Sequence, residues 1–388
     1  MFLLTILAAL AAPLSPNDAV VAALASNPDI ARADAERGAA QGAARQSAFL
    51  RENLSVEGGY ALVGDRLDVT VSQPISVTGE GMADNRSARA RLDAAKASVE
   101  RARFVVAAEV RSAYVDAVVA HQRAALAGDA FELATRQLEV ATARLKAGEA
   151  SELELRLGRL ERASAAQQLL DARRAEAEAL ASISTLAQRP VTGGDLDADP
   201  LAAAPAPLAG GEERSDVVAA RLAVDAADAA VARERAAALP ALAVGGFYES
   251  DAAGFVAGPS LGVTLPLWHQ NQAGVSEASG AASVARAELA ALQSEAEADV
   301  TTARALHTDA DRVMAALGEG GTDDARAALA AIEAGFNAGE LDLLQTVLLR
   351  GEVIAGQRAW VEARGAWAVA RIQLLLATED PALLGGGR

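Results

Sequence analysis

The hydrophobic and polar positions of this chain follow two periods, and each period returns in the second half. Residues 53–62 and 67–72 alternate apolar and polar side chains around a Gly-Asp turn, which is typical of a β-hairpin. Residues 242–249 and 259–265 alternate in the same way. Elsewhere the spacing is helical. It predicts helices over about residues 17–50, 83–147, 151–188, 214–239, 273–336 and 341–377.

An internal repeat explains why both periods return. Ala147-Gly148-Glu149 and Ala338-Gly339-Glu340 lie 191 residues apart, and a leucine-rich helical pattern follows each. Gln73-Pro74-Ile75 matches Leu265-Pro266-Leu267 at an offset of 192 residues. A third pair, at Asp29 and Asp216, has an offset of 187 residues. Because the pairs keep their order and nearly their offset, the chain is predicted to be a tandem duplication.

The duplication defines the predicted domain organisation. Residues 1–12 resemble the apolar core and small-residue cleavage site of a secretory signal, although no basic segment precedes them. Residues 13–190 form the first repeat and residues 213–380 the second. Residues 191–212, rich in Pro, Ala, Gly and Asp, form a linker. A disordered tail is expected at residues 381–388.

Composition narrows the function classes. Hydrophobic residues make up 52% of the chain but aromatic residues only 3%, which suits long helices packed through small side chains. A net charge of −17 excludes nucleic acid as a partner and disfavours an anionic membrane surface. The absence of cysteine excludes disulfides, Cys-ligated zinc and a cysteine-linked lipid anchor. No phosphate loop or nucleophile elbow is present, so neither an enzyme nor a cofactor is expected.

The strands and helices both need partners that one chain does not supply. A helix of roughly 65 residues is about 98 Å long and requires packing along its whole length. Four strands are too few to close a barrel, whereas three copies supply the 12 strands that an outer-membrane barrel admits. The sequence therefore predicts a homotrimer whose apolar strand faces contact outer-membrane lipid.

Several motifs together resemble those of the TolC-like outer-membrane efflux family. They are Asn27-Pro28-Asp29, the two hairpins, and the twin tips Lys146-Ala147-Gly148-Glu149 and Asn337-Ala338-Gly339-Glu340. The segment Leu265-Pro266-Leu267-Trp268-His269-Gln270-Asn271-Gln272-Ala273-Gly274 also resembles a signature of the branch that serves heavy-metal efflux pumps.

The resemblance implies a mainly α fold with a small β part, in which long helical hairpins form a periplasmic tunnel. The four strands of each chain would join a 12-stranded trimeric β-barrel in the outer membrane. The implied partners are a periplasmic adaptor and, through it, an inner-membrane pump of the RND type. The implied activity is export of small molecules or metal cations. The alternatives are the exit duct of a type I protein-secretion system and a soluble periplasmic coiled-coil scaffold or adaptor.

Three groups of candidate site residues follow, each with a structural alternative. The adaptor-docking tips, which alternatively only end the helices, are Lys146, Gly148, Glu149, Asn337, Gly339 and Glu340. Acidic residues that would ring the entrance, or simply be solvated, are Glu149, Glu152, Glu340 and Asp342. Aromatic residues expected at the membrane interfaces, or packed between elements, are Tyr60, Phe247, Tyr248, Phe255 and Trp268.

Two further features are left open or assigned no role. The histidines His121, His269 and His307 are scattered without a paired carboxylate, so no metal site is expected. Gly318-Glu319-Gly320-Gly321 interrupts the second long helix and is consistent with a kink or with a loop.

Overall fold

The computed structural model describes residues 13–45, 53–62, 66–75, 78–148, 150–197, 199–207, 213–268, 270–318 and 321–385. The predicted signal segment, residues 1–12, lies outside the described residues. The chain divides into two compact units. The sheet unit comprises Pro28–Ala102 and Glu213–Glu297, and the helical unit comprises the described residues up to Asn27, Arg103–Glu212 and Ala298–Arg388.

The sheet unit contains one antiparallel sheet, in which the strands follow chain order. Its strands are β1 (Ser55–Ala61), β2 (Arg66–Ile75), β3 (Ala241–Asp251) and β4 (Gly254–Thr264). Each repeat therefore contributes one hairpin, and β2 pairs with β3 to join the two repeats. The helices α2 (Pro28–Ala44) and α5 (Ser215–Ala236) belong to this unit, as do the first parts of α3 (Glu80–Lys146) and α6 (Gln272–Leu317).

The helical unit contains the remaining helices. They are α1 (Pro16–Ser26), α4 (Glu152–Leu186), α7 (Gly321–Asn337) and α8 (Leu343–Ala377), together with the later parts of α3 and α6. None of the helices in the described residues combines the length and the hydrophobicity that crossing a membrane requires. At 67 residues, α3 is the predicted long helix, continuous through Gly128.

The first predicted helix is wrong in one respect, because it is two helices. α1 ends at Ser26 and α2 begins at Pro28. Asn27 between them is extended, with φ −68° and ψ 131°. A proline disfavours the α conformation of the residue before it, so the chain turns at Asn27 instead of continuing.

The second long helix is also two helices. α6 ends at Leu317 and α7 begins at Gly321. Gly318 has a φ of +69°, a left-handed conformation that glycine adopts without a steric penalty. Residues 319–320 lie outside the described residues. The structure therefore has an interruption of the helix here, where the first repeat continues without one.

Arg111 and Tyr114 organise the core of the helical unit. The Arg111 guanidinium donates from Nε to the Leu383 carbonyl at 2.7 Å, from Nη1 to the Ala203 carbonyl at 2.9 Å, and from Nη2 to Asn17 Oδ1 at 2.7 Å. Burial lowers the pKa of Arg111 to about 10, which leaves it charged at neutral pH. Three distant segments of the chain are thus held on one side chain of α3.

Tyr114, one turn further along α3, extends this clamp. Its hydroxyl donates to the Leu14 carbonyl at 2.8 Å and accepts from the Asp197 amide at 2.7 Å. Two residues of the predicted linker, Asp197 and Ala203, are therefore hydrogen-bonded to side chains of α3. The prediction of a disordered tail is wrong for Pro381–Leu384, which form a 3₁₀ helix with Leu383 fully buried. Arg111 satisfies the Leu383 carbonyl, which would otherwise be buried without a partner.

Candidate functional site: the sheet faces and the helix tips

The strand register sorts the sheet into two chemically different faces. Directly paired residues of an antiparallel sheet share a face, and successive residues point to opposite faces. Val69 pairs with Gly58 and with Tyr248, and Tyr248 pairs with Ala257. The face that includes this row is apolar at most positions. Its hydrophobic members are Val56, Tyr60, Leu67, Val69, Val71, Ile75, Leu242, Val244, Tyr248, Phe255, Ala257, Pro259, Leu261 and Val263.

The opposite face carries small and polar residues. Gly245 lies on it, and a Cβ there would come within 2.0 Å of the Val71 carbonyl oxygen. Arg66 forms an ion pair with Glu249 at 2.7 Å on this face. The charged residues of the small face are Arg66 and the carboxylates of Glu57, Asp68, Glu249 and Asp251. Four acidic groups against one basic group make this face favourable to cations.

The apolar face is uncovered in the described chain. Phe255 is 71% exposed and Leu261 is 70% exposed. Aliphatic and aromatic side chains at such exposure on a contiguous face mark a surface that meets lipid or another protein. From Phe255 to Val263 the strand is about 26 Å long, close to the apolar band of about 25 Å that outer-membrane proteins present.

The predicted interface aromatics separate into three groups. Tyr60, Tyr248 and Phe255 share the apolar face near the hairpin turns, and the rings of Tyr248 and Phe255 stack with centroids 5.9 Å apart. Trp268 follows β4 at the other end of the sheet and is largely exposed. Phe247 lies on the small face and packs over Gly258. Grouping Phe247 with Tyr248 is wrong, because neighbours in a strand point to opposite faces.

The two helix tips are built by the same local chemistry. Gly148 and Gly339 end α3 and α7 with φ of +80° and +77°. Three residues later, Ser151 and Asp342 cap α4 and α8, and each cap forms a reciprocal capping box with the residue three positions further on. The repeat predicted from sequence therefore extends to equivalent backbone conformations at both tips.

Exposed leucines follow each tip at equivalent positions. Leu153 and Leu157 lie in the first turns of α4, and Leu344 and Leu348 lie 191 residues later in α8. Leu153 is 65% exposed and Leu348 is 62% exposed. The sequence predicted a leucine-rich helical pattern after each tip but did not indicate that these leucines are exposed. Their exposure gives each tip an apolar patch beside its charged residues.

Packing joins the ends of α3 and α7 within the helical unit. The Phe336 ring is buried against Ala141, with Val140 and Val347 at the edge of the cluster. The Arg144 guanidinium lies over the same ring, 5.7 Å from its centroid. Phe336 thus fixes the two helix ends, Lys146 and Asn337, on which the predicted docking tips depend.

The predicted acidic entrance residues differ in their environments. Glu149 lies outside the described residues. Glu152 pairs with Arg156 at 2.7 Å one turn along α4. Asp342 accepts the Gln345 amide at 2.7 Å as the cap of α8. Glu340 is exposed in the second tip. Two of the four carboxylates therefore have local partners in the structure.

The histidine prediction needs a correction. His121 does have a carboxylate partner, since its Nδ1 lies 2.6 Å from Glu176 Oε1 on α4. The sequence did not indicate this pair because the residues are 55 positions apart. His307 packs edge-on against Trp367, with ring centroids 5.6 Å apart. His269 lies outside the described residues. In the part of the chain that the structure describes, no three potential metal ligands cluster.

The segment that resembles the heavy-metal branch signature forms the turn from β4 into α6. Asn271 has a φ of +52° and donates from Nδ2 to Glu234 Oε2 at 2.6 Å and to the Glu234 carbonyl at 3.0 Å. A Cβ at Gly274 would lie 2.5 Å from Asn271 Oδ1. Hydrogen bonds from Asn271 and then from Arg233 lower the pKa of Glu234. These motif residues therefore fix the turn within the sheet unit.

Comparison with known proteins agrees with this architecture. Residues 211–378 match the family described as Outer membrane efflux protein. The nickel-cobalt-cadmium resistance protein NccC of Alcaligenes xylosoxydans xylosoxydans is 28% identical over 64% of this chain and 58% of its own length. The cobalt-zinc-cadmium resistance protein CzcC of Cupriavidus metallidurans is 28% identical over 51% of this chain and 50% of its own. The chain thus spans little more than half of these two relatives.

A solved channel has the same fold along nearly the whole chain. The open state of the Neisseria gonorrhoeae MtrE outer membrane channel superposes with a TM-score of 0.76 and 20% sequence identity. The match covers 95% of this chain and 90% of the channel chain. The predicted TolC-like fold class, mainly helical with a four-stranded antiparallel sheet, is confirmed. The chain is thus similar to outer membrane efflux proteins in sequence over its second repeat, and it has the fold of a solved outer membrane channel over nearly its whole length.

Proposed function

We propose that this protein is the outer-membrane exit duct of a tripartite efflux pump and carries small molecules or metal cations from the periplasm to the exterior. The observation that carries the proposal is the difference between the two faces of the sheet. One face is apolar and uncovered, and the other carries small and acidic residues. The apolar face contacts the hydrocarbon of the outer membrane, and the small face lines the passage. The protein provides a route and catalyses no reaction.

Trimerisation follows from the free edges of the sheet. β1 and β4 each pair with one neighbouring strand in the described chain, so they are the two edges of the sheet. Unpaired backbone groups are costly at membrane depth. Pairing β4 of one copy with β1 of the next, three times, gives the 12-stranded ring predicted from the sequence and leaves no edge.

The tips are the proposed docking surface for a periplasmic adaptor. Leu153, Leu157, Leu344 and Leu348 supply exposed apolar contacts at two equivalent positions of each copy. An adaptor with apolar and basic residues on a helical hairpin complements these leucines and the neighbouring acidic residues. The adaptor connects the duct to an inner-membrane pump of the RND type. The tip carboxylates, including Glu340, line the entrance of the passage.

Divalent metal cations are the substrates that we favour. The names of NccC and CzcC refer to resistance to nickel, cobalt, zinc and cadmium. On the small face of the sheet, Glu57, Asp68, Glu249 and Asp251 outnumber the single Arg66. This excess of negative charge raises the local concentration of cations without binding them tightly, as passage requires.

Cell fractionation with native mass spectrometry of the extracted protein tests the duct itself. We expect a heat-modifiable trimer in the outer-membrane fraction. A monomer in the soluble periplasmic fraction would identify a coiled-coil scaffold and overturn the proposal.

Substrate and partners need separate experiments. A deletion strain should become more sensitive to nickel, cobalt, zinc or cadmium, and unchanged sensitivity to all four would reject the metal substrates. Because the chain has no cysteine, single introduced cysteines report contacts cleanly. Leu344→Cys should cross-link to the adaptor in cells, whereas Gln167→Cys, exposed further along α4, should not. Recovery of a protein-secretion adaptor on Leu344→Cys would instead favour a type I system.

A further inference from the structure

A buried arginine with unsatisfied donors lies between three helices of the helical unit. Arg350 of α8 is 5% exposed, and its Nε and Nη1 have no hydrogen-bond partner. Gln137 of α3 is 6% exposed, and its Nε2 also lacks a partner. A buried unsatisfied donor is costly, and a charged one more so. Two such groups at one place indicate a missing acceptor.

Both side chains line one cavity. It has a volume of about 180 Å³ and lies between α3, α4 and α8, where Leu133, Ala165, Gln168 and Ile354 are among the residues that line it with Arg350 and Gln137. Arg350 and Gln137 lie about two and two and a half helical turns from the tip ends of α8 and α3. The space is enough for an ion of four or five heavy atoms with a few waters.

The charge balance at the cavity selects an anion. Burial lowers the pKa of Arg350, Glu333 raises it and Arg136 lowers it. An arginine stays protonated at neutral pH, and the charged residues that line the cavity are Arg350, Arg358 and Glu161, so the lining carries a net positive charge beside the Gln137 amide donor. No carboxylate of the described chain accepts a hydrogen bond from Arg350 Nε or Nη1. Water would satisfy these donors without adding charge, whereas an oxyanion accepts from the planar guanidinium at two points and adds a compensating charge.

We propose that this cavity binds a small oxyanion, of the class of phosphate or a short carboxylate, on Arg350 and Gln137. The bound anion holds α3, α4 and α8 together behind the tips. This inference goes beyond the proposed export function, since the anion is a structural ligand and not cargo. Glu161 also lines the cavity and is the competing partner for Arg350 within the chain.

Thermal unfolding of the purified full chain in inorganic phosphate tests the proposal, with ionic strength held constant by the salt of a bulkier anion. We expect phosphate to raise the unfolding temperature of the unsubstituted protein by several degrees. Arg350→Met should abolish this shift. Arg159→Met, an exposed arginine of α4 that does not line the cavity, should retain it.

A second variant keeps the test valid if Arg350→Met does not fold. Gln137→Glu places a carboxylate where the anion would bind, so it should unfold near the temperature of the phosphate-loaded protein and no longer respond to phosphate. The proposal is overturned if phosphate has no effect on the unsubstituted protein, or if the shift persists in both cavity variants. Destabilisation by Glu161→Gln without any phosphate effect would also overturn it, by identifying Glu161 as the partner.

Discussion

Arg111 Nε donates a hydrogen bond to the Leu383 carbonyl oxygen at 2.7 Å, joining residues that are 272 positions apart. The same guanidinium donates to Ala203 and Asn17. One side chain of α3 is therefore hydrogen-bonded to α1, to the predicted linker and to the 3₁₀ helix Pro381–Leu384. The helical unit therefore depends on a buried charge that is satisfied by two carbonyls and one amide oxygen, without a carboxylate.

Replacing Arg111 should loosen all three segments together. We expect Arg111→Met to lower the free energy of unfolding by about 3 kcal/mol or more, because hydrogen bonds to a charged donor contribute roughly 1.5–3 kcal/mol each. Urea unfolding measures the loss, and limited proteolysis should cut the variant first near Leu383. Arg123→Met removes an exposed ion pair of the same helix and should cost under about 1 kcal/mol. Equal losses in the two variants would contradict the clamp.

The left-handed glycine of the second tip should resist substitution. Gly339→Ala forces a Cβ into a conformation with φ of +77° and should destabilise the helical unit by about 1–2 kcal/mol. Gly356→Ala is the matched control, since Gly356 lies within α8 with open space around its Cβ position and should gain about 0.5–1 kcal/mol. Thermal unfolding should show a lower unfolding temperature for Gly339→Ala and a higher one for Gly356→Ala. A stabilising Gly339→Ala would mean that the tip does not need this turn.

If the proposed function is correct, an introduced positive charge should destabilise the protein on the apolar face of β4 but not on its small face. Leu261→Arg puts a cation on the apolar face and should cost about 2–4 kcal/mol near the middle of the membrane. Val256→Arg replaces another exposed aliphatic side chain of the same strand, but on the small face, next to Glu249. The amount of folded trimer in the outer-membrane fraction should fall for Leu261→Arg only. Similar losses for both would reject the assignment of the faces.

The turn between β4 and α6 should be weaker in acid. The Glu234 pKa is lowered in the folded state by the Asn271 hydrogen bond, so its contribution to stability is present above the unfolded pKa of about 4.5 and is lost as pH falls through the folded value. Asn271→Gly keeps the positive φ but removes the bond. It should cost about 1–2 kcal/mol at pH 7 and progressively less below pH 4. Urea midpoints at both pH values measure this, and a pH-independent loss would show that Glu234 is not involved.

Local sequence signals predicted the features that short segments determine by themselves. The strands follow from alternating side chains, and both tips follow from a glycine with a capping residue three positions later. The break at Asn27 was also signalled locally, by Pro28, although helical periodicity on both sides concealed it. The period of two likewise separates Phe247 from Tyr248, so the error at Phe247 was avoidable from the sequence.

The sequence by itself determined the duplication, the element types and the tips, because each depends on interactions within a few residues or within one strand pair. Only the tertiary structure decided which polar side chains are buried and what they bind. Arg111 and Arg350 lie in helical patterns like those of exposed arginines, yet the first meets acceptors from three segments and the second is buried with Nε and Nη1 lacking an acceptor. The difference arises because their surroundings come from helices and loops far apart in the chain, whose packing no local pattern encodes.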